Sequence, residues 1–318
     1  MDQPLVSVIM PCYNHEKYVE QSIQSVLDQP YKNIELIVID DGSRDTTPEI
    51  IRKLGDQYGF YYELHGVNKG ICHALNKGIS HASGRYIKFL ASDDFLHEQS
   101  ILDFINHMEK DPKIDACFGD LIEVDKEGND VRLLKSGVSK LFQNRFLVSS
   151  IVNVSPDMAI QVSPMIGSAY IIKRSVLSEF GAFDESQIVE DWDLFLFLVC
   201  HLKKISYIPS IAGYWRRIEL RERPVRRDNK RWFFSDVHIV TKYRHYVSRR
   251  SFETAIKNLI RFHASIAITC NESPVYLLRL AKKYLFVWAL FADFGFVSRV
   301  LGFYREKALT KLHCKVYR

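Results

Sequence analysis

The chain has 318 residues, 47% of them hydrophobic and 25% charged, with a net charge of +5. This balance excludes a disordered or fibrous protein and leaves room for one large domain with an appendage, or two modest domains. Six scattered cysteines (Cys12, Cys72, Cys117, Cys200, Cys270 and Cys314), with no Cys-x-x-Cys pair and no histidines at zinc spacing, speak against a disulfide framework or a zinc module and predict reduced, mostly buried thiols.

Leu5 to Met10 is an apolar, β-branched run stopped by Pro11-Cys12-Tyr13-Asn14, which predicts a strand ending in a loop. No secretory leader precedes it, so the expected location is the cytoplasm. Val19, Ile23, Val26 and Leu27 then recur at helical spacing, and Ile34 to Ile39 forms a second buried strand ending in Asp40-Asp41-Gly42-Ser43. Thr47 is expected to cap the next helix, with Pro48 at its first position. Phe60 to Leu64 is a third strand, and Asn68-Lys69-Gly70 opens a helix that runs to Ile79. Tyr86 to Leu90 is a fourth buried strand, and it runs into Ala91-Ser92-Asp93-Asp94.

Strands alternating with helices of about ten residues predict an α/β fold with a mainly parallel, doubly wound central sheet. In such sheets ligands sit beyond the carboxyl ends of the strands. Three successive strand ends carry polar or acidic groups, and their convergence on one edge predicts a site there. Two readings of Asp93-Asp94 stand at this level. One is a solvated turn with Asp94 at a helix N-terminus; the other is a pair of oxygen ligands for a divalent ion that also holds a diphosphate.

Farther along, Asp115 to Val124 predicts a strand followed by a turn at residues 125–129, and the weak pattern from Leu141 to Ser163 suggests a mobile loop over the site. Ile166 to Ile172 predicts a strand, Lys173 to Phe180 a short helix, and Gly181 to Glu185 a turn. Glu190-Asp191-Trp192-Asp193 stands at the front of an apolar helix, where helix capping alone would account for its acids. Lys204 to Ile208 is a last strand. Between Arg216 and Arg231, eight Lys/Arg face three Asp/Glu, and the remainder of the chain is mostly helical in pattern and basic. Its longest apolar run, Tyr284 to Ala292, is far short of the roughly 20 residues that cross a bilayer. It suits either an interfacial helix or a core helix.

Taken in order, Val6 to Asn14, Ile39 to Thr46, Asn68-Lys69-Gly70 with Ala74 to Ile79, Ser92-Asp93-Asp94, Gly181 to Glu185 and Glu190 to Asp193 resemble the inverting glycosyltransferases of family 2 over about residues 5 to 215. The resemblance implies the GT-A fold: a Rossmann-like, mainly parallel sheet flanked by helices, here a catalytic domain over 1–215 with a basic, mostly helical region over 216–318. It implies that Pro11, Tyr13 and Asp41 hold the uracil and ribose of a uridine-diphospho-sugar, with Asn14, Asn68 and Gly70 in the same nucleotide-sugar site. It further implies that Asp93 touches the ribose, that Asp93 and Asp94 bind Mn²⁺ or Mg²⁺, and that Asp191 is the general base.

The expected reaction is sugar transfer to a glycan acceptor on a polyprenyl-diphosphate lipid, in bacterial surface polysaccharide synthesis. Peripheral contact with the inner face of the cell membrane is a further expectation, and nucleic acid is not an expected partner. Three departures from the family pattern stand out: Ala91 in place of a further aspartate, Leu75 in place of an arginine, and Ile218 where a histidine often completes the metal shell. They motivate an alternative, a catalytically degenerate scaffold. A sugar-1-phosphate nucleotidyltransferase would need a glycine-rich first loop, and a nicotinamide oxidoreductase would need Gly-x-Gly-x-x-Gly after the first strand; neither pattern is present.

Overall fold

Strand β1 (Val6–Cys12) is buried along almost its whole length, which is why its residues are apolar without alternation. In the computed structural model, which describes residues 3–134, 150–152, 154–161, 167–217 and 229–269, β1 lies between two parallel neighbours, β2 (Ile34–Asp40) and β4 (Tyr86–Phe89). Helix α1 (Val19–Leu27) returns from the first to the second strand and buries Val19, Ile23 and Val26 on one face, each contributing roughly 1.5–3 kcal/mol. Helix α2 (Thr47–Tyr58) leads to β3 (Tyr61–Leu64), and α3 (Ile71–His81) leads to β4. Thr47 is the first residue of α2 and not its cap: its hydroxyl accepts the His15 amide at 2.9 Å, while Asp45 accepts the Thr47 amide at 3.1 Å.

Beyond β4 come β5 (Phe95–Leu96), α4 (Ser100–Lys110), β6 (Ala116–Val124), β7 (Asp130–Leu134), β8 (Ser150–Val152), α5 (Pro156–Ala159), a 3-10 turn (Gly167–Ala169), β9 (Tyr170–Lys173), α6 (Arg174–Phe180), α7 (Asp191–Cys200) and β10 (Ile205–Arg216). Asp94 therefore enters β5, not a helix N-terminus, because α4 begins six residues later. The order across the sheet is β3-β2-β1-β4-β9-β6-β10-β5, with β7 on β6 and β8 on β10. β9 runs antiparallel to both neighbours, so β6 and β10 again point the way of β1 and β4. The last strand is much longer than its apolar run suggests. It continues through Pro209 by register shifts on β6 near Ile211, irregularities of the kind that accommodate a proline.

Two compact units divide the chain, residues 1–222 and 223–318. Arg216, the first residue of the basic stretch, belongs to β10 in the first unit. In the second, α8 (Asn229–Lys242) and α9 (Arg249–Thr269) are amphipathic helices. Between them His263 Nε2 and Asp236 Oδ2 lie 2.8 Å apart, both groups buried, against the rings of Trp232 and Phe233. Among the described residues no helix is long and apolar enough to cross a membrane. Cys12, Cys72, Cys117 and Cys200 are free and buried. Tyr284 to Ala292, Ile218 and most of Leu141 to Ser163 lie outside the described residues.

Candidate active site

The register pairs Cys12 with Asp40 and Ile9 with Phe89, so the loops after β1, β2 and β4 leave the sheet side by side. The first two are laced together. Asn14 holds a left-handed φ of 55°, donates its amide to Ser43 Oγ at 2.8 Å and accepts the Arg44 amide on Oδ1 at 2.8 Å. Glu16 accepts both the amide and the hydroxyl of Thr46, and these bonds hold its carboxyl below the usual range. Pro11 pairs opposite Ile39, one residue before the end of β1. Tyr13 follows it, half-buried, and makes no hydrogen bond or ring contact with a described residue.

Asp40 and Asp41 do different work. Asp40 turns back on Ser43, and its burial raises its carboxyl above the ordinary value. Asp41, also buried, reaches across to the next loop, where its two oxygens accept the amides of Lys69 at 2.9 Å and Gly70 at 2.7 Å, with His65 Nδ1 3.4 Å away. Asn68 is thereby presented in the open just before α3. Gly42, at φ 76°, packs so closely under this loop that an added Cβ would lie 2.6 Å from main-chain atoms of Val67 and Asn68.

The two carboxylates after β4 also differ. Asp94 is buried and accepts the Ser168 hydroxyl on Oδ2 at 2.7 Å and the Arg216 amide on Oδ1 at 3.0 Å. Asp93 is half-buried, its carboxylate accepts no hydrogen bond from a described residue, and its carbonyl accepts Arg216 Nε at 2.9 Å. Ser92 Oγ lies 2.8 Å from His15 Nδ1. Arg216 is not a surface arginine: it is buried, with its guanidinium bonded to the carbonyls of Asp93, Asp125 and Lys126 and to Gln21 Oε1, 4.6 Å from the centre of the Tyr18 ring. With Lys17, Tyr18, Gln21, Lys126 and Glu127 it lines a cavity of about 340 Å³. Arg217 pairs with the buried Glu123 at 3.3 Å.

Among the described residues no three His, Cys, Asp or Glu side chains converge on one point. Even so, an open carboxylate at Asp93 beside a fixed one at Asp94 suits a hard divalent cation, because Mg²⁺-type ions take one or two protein carboxylates and fill the remaining positions with phosphate oxygens and water. Ala91 and Leu75 leave this part of the site spare: Ala91 contributes its carbonyl to the Asp94 amide and the Ser22 hydroxyl, and Leu75 is buried in the core.

Asp191 opens α7, where its Oδ1 accepts the amide of Trp192 at 2.7 Å. The wholly buried helix behind it is anchored by Trp192 Nε1, which donates to the Ala159 carbonyl. The loop before it is latched onto α3. Asn76 donates to the Phe183 carbonyl at 2.9 Å and accepts the Phe183 amide at 2.9 Å, while His73 Nδ1 meets Glu185 at 2.9 Å. Burial pushes the neighbouring Glu190 carboxyl up. Burial, with the charges of Asp191 and Glu190, raises the hydroxyl of Tyr170, two residues beyond Ser168. Sequence reasoning missed His65 as part of this assembly, and it offered Ser168 as a donor-selectivity position and Arg216 as a supply of positive charge rather than as the two clamps on the carboxylate turn.

Comparison with known proteins agrees with this fold. The family described as Glycosyl transferase family 2 matches residues 7–166. An uncharacterized glycosyltransferase of Haemophilus influenzae is 38% identical over 135 residues, 42% of this chain and 54% of its own length. The poly-beta-1,6-N-acetyl-D-glucosamine synthase of Staphylococcus epidermidis is 31% identical over 228 residues, 67% of this chain and 52% of its own. The chain thus spans about half the length of these curated relatives. Among solved structures, residues 1–349 of S. aureus TarS in complex with UDP-GlcNAc share the fold, with a TM-score of 0.59 at 19% identity over 83% of this chain and 73% of that one. A mannosyltransferase from Pyrobaculum calidifontis, in complex with GDP-Man and Mn²⁺, gives 0.55 at 17% identity over 98% and 88%.

Proposed function

The chain belongs to glycosyl transferase family 2, and we propose that it is a metal-dependent, inverting hexosyltransferase that moves a sugar from a uridine-diphospho-sugar to a glycan acceptor. The observation that carries this reading is the Asp93 carboxylate, which accepts no hydrogen bond from a described residue and stands next to the fixed Asp94 after one of three strands whose loops leave the sheet side by side. The solved relatives in complex with UDP-GlcNAc or with GDP-Man and Mn²⁺ support a nucleotide-sugar donor of this kind.

In the proposed mechanism Pro11 and Tyr13 take the uracil. Asp41 acts largely through the 68–70 loop it holds, since both its oxygens already accept main-chain amides. Asp93, with Asp94 fixed behind it, would hold Mn²⁺ or Mg²⁺. Such an ion, when bound, neutralises the charge that develops on the leaving group. Asp191 accepts the proton of the acceptor hydroxyl as the hydroxyl oxygen attacks the anomeric carbon. The bond from that carbon to the diphosphate breaks in the same displacement, its electron pair leaves with the nucleotide, and an α-linked donor yields a β-linkage.

For the acceptor we favour a glycan on a polyprenyl diphosphate, in bacterial surface polysaccharide synthesis. The positive side chains of Lys17, Lys126 and Arg216 around the cavity, and the basic residues beyond 216, favour an anionic ligand and contact with the inner face of the membrane. The test is transfer from UDP-GlcNAc to a polyprenyl-diphosphate-linked sugar with Mn²⁺, followed by assignment of the anomeric configuration by NMR. A β-linked product, lost in Asp191→Asn with UDP binding retained, is the expected result. Retained configuration, or transfer at the normal rate by the variant, overturns it.

A further inference from the structure

A lysine sits inside the sheet where an apolar residue would be cheaper. Lys88 lies in the middle of β4 with no solvent exposure, flanked by Ile87 and Phe89, which are also buried. Burying an ammonium costs several kcal/mol unless hydrogen bonds and charges compensate. The compensation here is sparse. Nζ donates to one acceptor, the carbonyl of Ser168 at 2.6 Å, and lies 5.0 Å from the centre of the Phe104 ring on α4. No carboxylate of a described residue lies within ion-pair distance of it. The other ionisable groups that bear on it are Asp94 and, from β6, the Cys117 thiol. Cys117 in turn receives the Ser206 hydroxyl at 3.3 Å, and His107 of α4 lies 2.8 Å from Ser206.

The single acceptor matters because of what else Ser168 does. Its main chain is held by Lys88 while its hydroxyl donates to Asp94 Oδ2 at 2.7 Å. The second oxygen of Asp94 is held by the Arg216 amide, and the same arginine holds the Asp93 carbonyl. The carboxylate turn is thus clamped on one side by β10 and on the other by the 3-10 turn at 167–169. Lys88 is the tie between that turn and the sheet. We propose that Lys88 is a positioning residue for the metal and diphosphate end of the site, acting through the Ser168 carbonyl to aim the Ser168 hydroxyl at Asp94 and so set the place of Asp93.

This proposal rests on the glycosyltransferase reading, and the experiment separates the two. Kd for UDP is measured by titration calorimetry, with and without Mn²⁺, on the full chain and on Lys88→Met, Ser168→Ala and the double variant. The expected result is a loss of about tenfold in the presence of Mn²⁺ for each single variant, about the same loss for the double, and no change without metal, a tenfold step being about 1.4 kcal/mol. A double variant that loses about a hundredfold would show that the two residues act independently and overturns the proposal. So does an equal loss with and without Mn²⁺, which marks general damage, and so does unchanged affinity in Lys88→Met. If Lys88→Met does not fold, Ser168→Ala decides alone: wild-type affinity with Mn²⁺ overturns the link. A parent chain that binds no UDP under either condition fails the underlying reading, and the positioning role falls with it.

Discussion

Replacing Gly42 with alanine separates two costs that the structure makes distinct. Gly42 has φ 76°, a left-handed conformation that costs an alanine about 1–2 kcal/mol. Its Cβ would also lie 2.6 Å from the Asn68 nitrogen and the Val67 carbonyl carbon, and 3.0 Å from Val67 Cα. These are main-chain atoms, so the overlap is relieved only by moving the 67–70 loop, at a further cost of about 1–3 kcal/mol. Gly59 is the internal control: it has φ 75° after α2, with nothing within 4 Å of the added carbon, so Gly59→Ala carries the conformational part alone. Urea unfolding of the two variants is expected to differ by about 1–3 kcal/mol, the cost of the contact. Because Asp41 grips the same loop, the displacement reaches the proposed nucleotide site, and calorimetry should show UDP affinity falling about tenfold in Gly42→Ala, equivalent to about 1.4 kcal/mol. Gly59→Ala should keep its affinity. Equal stability of the two variants, with unchanged UDP binding, would refute the reasoning.

The paired carboxylates should respond oppositely to amidation. Asp93→Asn breaks no hydrogen bond to its side chain, so its urea transition should stay within about 0.5 kcal/mol of the parent, while Mn²⁺-dependent transfer should fall by about a hundredfold or more. Asp94→Asn weakens two buried bonds and should destabilise the chain by about 1–3 kcal/mol. Asn76→Ala releases the loop ahead of Asp191, so steady-state kinetics should show kcat falling more than KM rises. Burial lowers the Lys88 ammonium from 10.5 to about 7. Below pH 7 the folded and unfolded chains both hold that proton; between about 7 and 10.5 the unfolded chain binds more, so its contribution to stability increases with pH across that window. Urea unfolding at pH 6.5 and pH 9 should show a gain in the parent that Lys88→Met lacks.

The alternation of apolar strands and amphipathic helices made the first half of the sheet readable. Strands β1, β2 and β4 are largely buried, β3 is the partly exposed edge, and β1, β2 and β3 are each followed by a helix of ordinary length, so local pattern and tertiary place coincide. The polar loops at three strand ends were readable for the same reason: parallel strands send their carboxyl ends to one edge. What escaped was decided by partners far away in the chain. Asp93 and Asp94 are equivalent in sequence, and only the arrival of Ser168 and Arg216, 74 and 122 residues beyond Asp94, makes one fixed and the other open. Arg216 reads as the start of a basic surface stretch because a buried guanidinium satisfied by carbonyls leaves no local signal. β10 was underestimated because Pro209 ordinarily ends a strand, whereas here shifts in pairing with β6 carry the strand past it. Thr47 looked like a helix cap, yet its hydroxyl serves the His15 amide of another loop.

The central claim is that the carboxylate turn serves a metal-dependent sugar transfer, and the most direct test is release of nucleoside diphosphate. The full chain is incubated with a panel of nucleotide sugars and a polyprenyl-diphosphate-linked acceptor while Mn²⁺ is titrated. Release that depends on acceptor and Mn²⁺, is greatest with a uridine-diphospho-sugar and is lost in Asp93→Asn is the predicted result. No release with any donor, or release that Asp93→Asn leaves intact, would contradict it.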